Sequence, residues 1–114
     1  MVTSKIKNYL LPIEKKNIII KGGENIFPNE IEQKIKKCSY VEDVAIVPKK
    51  DKILGEQICA AIIPNNEKKI KKIEDFITKN ISSYYKPGIT KFIKKFPTNV
   101  NGKVIRKEII KYFE

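Results

Sequence analysis

The fold is decided by two apolar runs, Val41-Glu-Asp-Val-Ala-Ile-Val47 and Gln57-Ile-Cys-Ala-Ala-Ile-Ile63. Both runs are rich in β-branched residues, and each is closed by a proline, Pro48 after the first and Pro64 after the second. These features are typical of β-strands. The connection between the runs is polar and contains Gly55. The sequence therefore predicts an antiparallel hairpin with a fairly long loop.

Shorter patterns on either side of this hairpin predict the remaining elements. Asn29 with Glu32 forms an N-cap pair that marks the start of a helix, and Gly22-Gly23 ends the short strand before it. The expected elements are a strand over 18–20, helices over 29–37, 67–80 and 106–113, a strand over 91–96 and a loop over 97–102. Together they predict an α+β domain, a small three-stranded and largely antiparallel sheet packed with helices, plus a short N-terminal strand.

The composition is that of a globular protein. The chain has 114 residues, of which 41% are hydrophobic and 32% are charged, so we expect one domain with a modest core. No apolar run approaches the roughly 20 residues needed to cross a bilayer. The first residues also lack the pattern of a secretory signal. We therefore expect a cytoplasmic protein without a membrane span.

The formal net charge is +11, from 24 Lys and Arg against 13 Asp and Glu. A charge of this size invites the hypothesis of a nucleic-acid-binding protein. All the basic residues except Arg106 are lysines, however, whereas phosphate and base recognition favour the bidentate guanidinium of arginine. A general bias toward Lys, Ile and Asn explains the charge more simply. We expect no specific nucleic-acid partner, only weak and salt-sensitive binding to polyanions.

The cysteines are interpreted as core residues rather than as ligands. Cys38 and Cys59 are the only two, and the sequence has no histidine, so we expect neither a disulfide framework nor a metal site. Cys38 follows Ile31 and Ile35 at helical spacing, and Cys59 lies inside the second apolar run. Both are therefore expected to be small, buried side chains.

The stretches that indicate a function are spread along the chain in a fixed order. They are Lys21-Gly-Gly-Glu-Asn-Ile-Phe-Pro-Asn-Glu-Ile-Glu32, Val44-Ala-Ile-Val-Pro48, Asp51, Gly55-Glu56, Tyr85-Lys-Pro87 and Pro97-Thr-Asn-Val-Asn-Gly-Lys-Val-Ile-Arg106. In this order and at this spacing they resemble the C-terminal domain of the AMP-forming acyl-CoA synthetases, within the superfamily of adenylate-forming enzymes. The resemblance covers roughly residues 15–113. Its Gly-Gly-Glu-Asn motif resembles that of acyl- and aryl-CoA ligases rather than that of peptide-synthetase adenylation domains.

The resemblance makes Lys103 the catalytic lysine of adenylation. In that step a carboxylate displaces pyrophosphate from ATP, so negative charge builds up where two anions meet. A fixed ammonium group stabilises such charge, and lysine is charged at neutral pH. The pair Asn101-Gly102 allows a tight turn that projects Lys103 from its tip. The alternative is that Lys103 is one more surface lysine among many.

The resemblance also relates the first glycine stretch to CoA. Gly22 and Gly23 lack Cβ atoms, so a thin ligand can approach their backbone closely. In the family this loop lines the passage of the pantetheine arm of CoA, and Glu24 and Asn25 are expected to add hydrogen bonds there. The alternative is a plain strand-to-helix turn. A nucleotide P-loop is excluded because its ending in Gly-Lys-Ser or Gly-Lys-Thr is absent.

Family members use this domain as a mobile lid that rotates between the two steps. The pivot corresponds to Lys16-Asn17, so we interpret residues 1–17 as an N-terminal segment with the hinge and residues 18–114 as the lid domain. Two positions depart from the family pattern. Asn17 is uncharged where the family usually has a charged residue, and Glu14 stands where it commonly has an arginine near the nucleotide.

Two functions of different classes remain open. The first is the lid of an acyl-CoA synthetase of fatty-acid metabolism, which makes acyl-CoA, AMP and pyrophosphate from a carboxylic acid, ATP and CoA. It would need the large N-terminal adenylation domain, in the same chain or in trans, and that domain would hold the Mg²⁺ expected with ATP. The second is a stand-alone binding or regulatory module that keeps the fold, and an RNA-associated protein is a distant third. The intact Asn-Gly-Lys and Gly-Gly-Glu-Asn stretches favour the first function, whereas Glu14 favours the second.

Overall fold

The computed structural model describes residues 18–114, so the hinge residues Lys16 and Asn17, together with Glu14, lie outside the described part. The elements are β1 (Ile19–Lys21), β2 (Glu24–Ile26), α1 (Pro28–Lys36), β3 (Val41–Asp51), β4 (Gly55–Pro64), α2 (Ile70–Asn80), β5 (Ile89–Phe92) and α3 (Arg106–Ile110). A turn of 3-10 helix precedes α2 (Glu67–Lys69), and another follows α3 (Lys111–Phe113). The fold is α+β, which confirms the prediction.

The predicted hairpin supplies the two longest strands, with β4 inside the sheet and β3 at its edge. β3 and β4 pair antiparallel, from Val41 opposite Pro64 to Asp51 opposite Gly55. Pro64 can end β4 because the last residue of a strand does not need to donate a hydrogen bond to the ladder. The prediction of a fairly long loop was wrong, because only residues 52–54 separate the two strands. Pro48 does not close the first strand either, since β3 continues to Asp51.

The sheet has five strands rather than the three, plus a short N-terminal strand, that were predicted. The strand order is β2-β1-β4-β3, and β5 lies beside β4. β2 was missed because Glu24 and Asn25 are exposed and only Ile26 is buried, which leaves no alternation to recognise. The range 91–96 predicted for the last strand was also wrong. The strand ends at Phe92 and runs parallel to β4, although the other strand pairs are antiparallel.

Alternate residues of β3 and β4 point to opposite faces of the sheet, and this creates two cores. The first face is covered by α1 and α2, and its core includes Ile19, Ile26, Ile31, Ile35, Val44, Ile46, Ile58, Ile62, Ile73 and Ile77. The opposite face is covered by α3 and the segment before it, and its core is made of Ala45, Val47, Cys59, Ala61, Ile63, Phe96, Ile109 and Phe113. Cys38 and Cys59 are buried free thiols, as predicted.

The start of α1 differs from the prediction. The helix begins at Pro28, and Phe27 before it makes no side-chain cap, so Asn29 and Glu32 do not form an N-cap pair. Proline suits the first helical position because its missing N–H would have had no partner there. Glu32 is instead buried and turned toward β3, where its Oε2 accepts a hydrogen bond from the backbone N of Ile46 at 2.8 Å.

Candidate functional site

Gly22 and Gly23 form the two-residue turn between β1 and β2, and we call this unit the glycine hairpin (residues 19–26). Lys21 pairs with Glu24 across the turn, and the φ angles of the two glycines are 58° and 83°. Positive φ at both central residues is the geometry of a type I′ turn, which residues with a Cβ rarely adopt. A Cβ added at either glycine would meet no atom of residues 18–114 within 4 Å. The backbone of the turn therefore favours glycine, with asparagine also suited to the first position, and no atom of residues 18–114 fills the space above the turn.

The glycine hairpin is fastened to the turn between β3 and β4. The backbone N of Gly22 donates a hydrogen bond to the carbonyl O of Leu54 at 2.7 Å. The backbone N of Ile20 donates to Oε1 of Glu56 at 2.8 Å. Gly55 has a φ of 86°, and a Cβ there would lie 3.4 Å from the carbonyl O of Ile20. The positive φ therefore explains why Gly55 is a glycine, since the contact with Ile20 is of ordinary van der Waals length.

Asp51 closes the turn between β3 and β4. Its Oδ1 accepts hydrogen bonds from the backbone N of Ile53 and of Leu54, both at 2.9 Å. These bonds, with that from Leu54 the stronger cause, hold the pKa of Asp51 below its usual value. The aspartate and the glycine that belong to the recognised pattern thus shape the turn on which the glycine hairpin rests.

Tyr84 also holds the glycine hairpin in place, through two hydrogen bonds with Lys21. Its hydroxyl donates a hydrogen bond to the carbonyl O of Lys21 at 3.0 Å, and Nζ of Lys21 donates to the carbonyl O of Tyr84 at 2.8 Å. Desolvation, followed by the charges of Glu24 and Tyr85, raises the pKa of Tyr84, which favours the protonated hydroxyl that donates to Lys21. No local pattern in the sequence predicts this role of Tyr84, because its partner Lys21 is 63 positions away along the chain.

Glu24 and Asn25 follow the turn on β2, and both are exposed. Asn25 lines a groove of about 250 Å³, whose other lining residues include Phe27, Lys34 and Tyr85. The groove therefore lies next to the glycine hairpin, and both predicted ligand-binding side chains of β2 face solvent rather than the core.

Lys103 lies in a tight loop that we call the lysine loop (residues 97–105). Thr98 and Val104 form an isolated β-bridge across the base of this loop. Gly102 has a φ of 82°, which explains the glycine before the lysine. The tight turn predicted for Asn101-Gly102 is therefore present.

Asn99 organises the lysine loop through four hydrogen bonds. Its Oδ1 accepts from the backbone N of Asn101 at 2.8 Å and from that of Lys103 at 3.1 Å. Its backbone N donates to the carbonyl O of Lys103, and its carbonyl O accepts from the backbone N of Gly102, both at 2.9 Å. Asparagine side chains readily bond the backbone two residues ahead. That local pattern was a signal in the sequence, but Asn99 was not identified from it.

The described part of the chain leaves the Lys103 side chain accessible. Lys103 is exposed, and none of the ion pairs within residues 18–114 includes it. Its backbone, by contrast, is bonded to Asn99 on both sides. An exposed ammonium group on a loop held by hydrogen bonds can meet an anion presented by another domain or by a ligand.

The structure anchors the two candidate groups to different faces of the sheet. Ile19 and Ile26 of the glycine hairpin belong to the core under α1 and α2. The lysine loop is flanked by Phe96 and Ile109, which belong to the opposite core. Lys103 and the glycine pair therefore do not form a single site, and each is exposed on a different part of the domain surface.

Within residues 18–114, no group of three or more His, Cys, Asp or Glu is placed to hold a metal ion. In the same range, no helix combines the length and the apolar character needed to cross a membrane.

Comparison with known proteins identifies the domain. Residues 30–103 match the family model described as the AMP-binding enzyme C-terminal domain. The chain belongs to this family. As an AMP-binding enzyme C-terminal domain it is a member of the adenylate-forming enzymes, which the resemblance indicated.

The curated relatives of this C-terminal domain are CoA ligases. The chain is 37% identical to the 2-succinylbenzoate–CoA ligase of Lactococcus lactis over 101 residues, which are 89% of this chain and 22% of that protein. It is 35% identical to the human mitochondrial medium-chain acyl-CoA ligase ACSF2 over 91 residues, which are 78% of this chain and 15% of that protein. The chain thus spans about a fifth of the length of such relatives.

Solved structures share the fold. A fatty acyl CoA synthetase of Mycobacterium tuberculosis superposes with a TM-score of 0.75 at 27% identity, over 86% of this chain and 20% of that one. ATP-bound MatB from Rhodopseudomonas palustris has a TM-score of 0.77 at 22% identity, over 87% of this chain and 20% of that one. In both structures the matched part is a small fraction of a larger enzyme.

Proposed function

We propose that this chain is the C-terminal lid of an AMP-forming acyl-CoA synthetase, in which Lys103 serves adenylation and the glycine hairpin serves thioester formation. The observation that carries the proposal is the lysine loop. It holds an exposed lysine without an ion-pair partner among residues 18–114, on a backbone fixed by Asn99, in a chain whose relatives are CoA ligases.

The lid would act together with a large N-terminal adenylation domain. Because the chain spans only about a fifth of its relatives, the pockets for ATP and the carboxylic acid are expected in the remaining part. The Mg²⁺ that accompanies ATP is expected there as well. The acyl substrate is consequently a property of the larger domain and is left open.

In the first step, a carboxylate oxygen attacks the α-phosphorus of ATP, and the bond from that phosphorus to the bridging oxygen of pyrophosphate breaks. Negative charge develops around the α-phosphorus while two anions come together. The ammonium group of Lys103 would lie against that charge and stabilise the transition state more than the separate reactants. Its exposure and the absence of an ion-pair partner among residues 18–114 fit this role.

In the second step, the thiol of CoA attacks the acyl carbon, the bond from that carbon to the AMP oxygen breaks, and AMP leaves. The thiol is carried at the end of the thin pantetheine arm, which has to reach a buried acyl group. The turn at Gly22 and Gly23 fits such an arm because no side chain of residues 18–114 fills the space above it. Glu24 and Asn25 would then supply hydrogen bonds from β2.

The test of the proposal compares Lys103→Ala with Lys107→Ala in the complete enzyme, since Lys107 is also exposed and lies close in sequence. ATP–pyrophosphate exchange measures adenylation. Lys103→Ala should lower it about a hundredfold or more, as expected for removing one preorganised charged group (about 3 kcal/mol). Lys107→Ala should leave exchange near the wild-type rate. Equal rates for the two variants would contradict the proposal and favour a non-catalytic module with the same fold.

A further inference from the structure

A partly buried ion pair covers the outer edge of the sheet. β3 is the last strand of the sheet order, so within residues 18–114 the groups on its outer side have no neighbouring strand. At Ile46, the backbone N donates to Oε2 of Glu32 at 2.8 Å, and the carbonyl O accepts from Nη1 of Arg106 at 2.9 Å. Nη1 of Arg106 also lies 2.9 Å from Oε2 of Glu32. The two side chains together take the place of a further strand at this point.

Removing either side chain of the pair would leave polar groups without a partner at a covered edge of the sheet. The Glu32 side chain is only 10% exposed and that of Arg106 is 35% exposed. A buried carboxylate without a cationic partner is strongly disfavoured, and so are unpaired backbone groups at a covered edge. Arg106 is also the only arginine of the chain. An arginine is suited here because one guanidinium can bond a carbonyl and a carboxylate at once.

Arg106 stands where the lysine loop joins the folded core. It is the first residue of α3 and follows Lys103 by three positions. Immediately before it, the backbone N of Ile105 donates to the carbonyl O of Pro97 at 2.9 Å, which closes the lysine loop. The ion pair therefore ties the end of this loop to β3 and to α1.

We infer that the Glu32–Arg106 pair is a positioning device that holds the lysine loop in place for the adenylation step. The inference rests on the proposed role of Lys103. The remainder of the C-terminal segment has an anchor of its own, since Ile109 and Phe113 are 0% and 3% exposed in the core. Loss of the ion pair should thus free the lysine loop and the first turn of α3 while the rest of the domain stays folded.

The first experiment is amide hydrogen exchange on the 114-residue chain with Arg106→Gln. A matched control is Lys36→Gln, because Lys36 and Asp43 also join α1 to β3, at 3.2 Å, but are 54% and 40% exposed and do not touch the C-terminal segment. In Arg106→Gln, the amides of Lys103 and Ile105 should exchange about tenfold faster or more. The β3–β4 ladder should keep its protection. Unchanged amide exchange in the lysine loop, or an equal loss of amide protection throughout the domain, would overturn the inference.

The second experiment measures both half-reactions in the complete enzyme. Arg106→Gln should lower kcat of adenylation and leave thioester formation from pre-made acyl-adenylate near wild type. Arg106→Lys, which keeps the charge, should restore part of the loss, and Glu32→Gln should reproduce it without touching the C-terminal segment. Loss of adenylation in Lys103→Ala but not in Arg106→Gln would overturn the inference and leave the proposed function intact. Normal adenylation in both variants would overturn both.

Discussion

Lys103 and the glycine pair are held in place by different physical means. Lys103 depends on a neighbouring side chain, since Asn99 bonds the backbone on both sides of it. Gly22 and Gly23 depend on their own lack of a Cβ, since both have a positive φ. The lysine loop is therefore sensitive to substitution at a position other than the lysine, whereas the glycine hairpin is sensitive at the glycines themselves.

Asn99→Ala should loosen the lysine loop without unfolding the domain. The substitution removes two hydrogen bonds to the backbone, each with a net value of about 1 kcal/mol, so the amides of Asn101 and Lys103 should exchange about tenfold faster or more. Asn99→Ser, whose hydroxyl can still accept a hydrogen bond, should fall between the wild type and Asn99→Ala. If Asn99→Ala left both amides as protected as in the wild type, Asn99 would not organise the loop.

The sequence predicted local chemistry better than long-range partners. Lys103 and the glycine pair were predicted because each lies in a short stretch whose neighbours set the backbone. Glu32 was interpreted as a helix cap, because its true partner Arg106 is 74 positions away in the numbering and no local pattern joins them. Tyr84 was missed for the same reason. Such pairs are set by the packing of the whole domain, which periodicity and spacing do not encode.

At the scale of elements, the turn between β3 and β4 supports the glycine hairpin. It is closed by Asp51 and touches the hairpin through Leu54 and Gly55. The central strands were predictable because two long apolar runs allow few alternatives. β2 was not, since it is defined by pairing with β1 across a glycine turn rather than by its own side chains.

The turn between β3 and β4 should weaken in acid. The pKa of Asp51 is below its ordinary value of about 3.9, so its ionised form favours the folded turn. That contribution is present above the ordinary value and is lost as the pH falls through the lowered pKa. An NMR titration should show the Asp51 carboxyl changing together with the amides of Ile53 and Leu54. Asp51→Asn should abolish the pH dependence of these amides, and an Asp51 pKa at or above its ordinary value would refute this account.

The buried part and the exposed turn of the β3–β4 hairpin should differ sharply in how well they tolerate truncation of a side chain. Ile62 is 0% exposed and belongs to the core under α1 and α2, whereas Ile53 at the hairpin turn is 90% exposed. Ile62→Ala should lower the free energy of unfolding by about 2–5 kcal/mol. Ile53→Ala should change it by no more than about 0.5 kcal/mol. Urea denaturation of the two variants measures both values, and similar losses would contradict the assignment of the core.

At the scale of the whole molecule, the sheet separates two surfaces. The glycine hairpin is anchored to the core on one face, and the lysine loop is anchored to the core on the other. The fold class was predictable from the pattern of apolar runs, and the family from short recognised stretches spread between Lys21 and Arg106. The anchoring of the glycine hairpin and the lysine loop to opposite cores was not predictable. It follows from the alternation of side chains along β3 and β4 and from the packing of α3. A domain of this shape suits a lid that uses one surface in each of two steps.

The most direct test measures both half-reactions for Lys103→Ala and Gly22→Asn in the complete enzyme. Asparagine followed by glycine is favoured in a type I′ turn, so Gly22→Asn adds a side chain above the turn while keeping its backbone. We predict opposite effects. Lys103→Ala should lower ATP–pyrophosphate exchange about a hundredfold or more and spare thioester formation. Gly22→Asn should slow thioester formation about tenfold or more and spare exchange. Equal losses of both half-reactions in both variants would contradict the claim that the two loops serve separate steps.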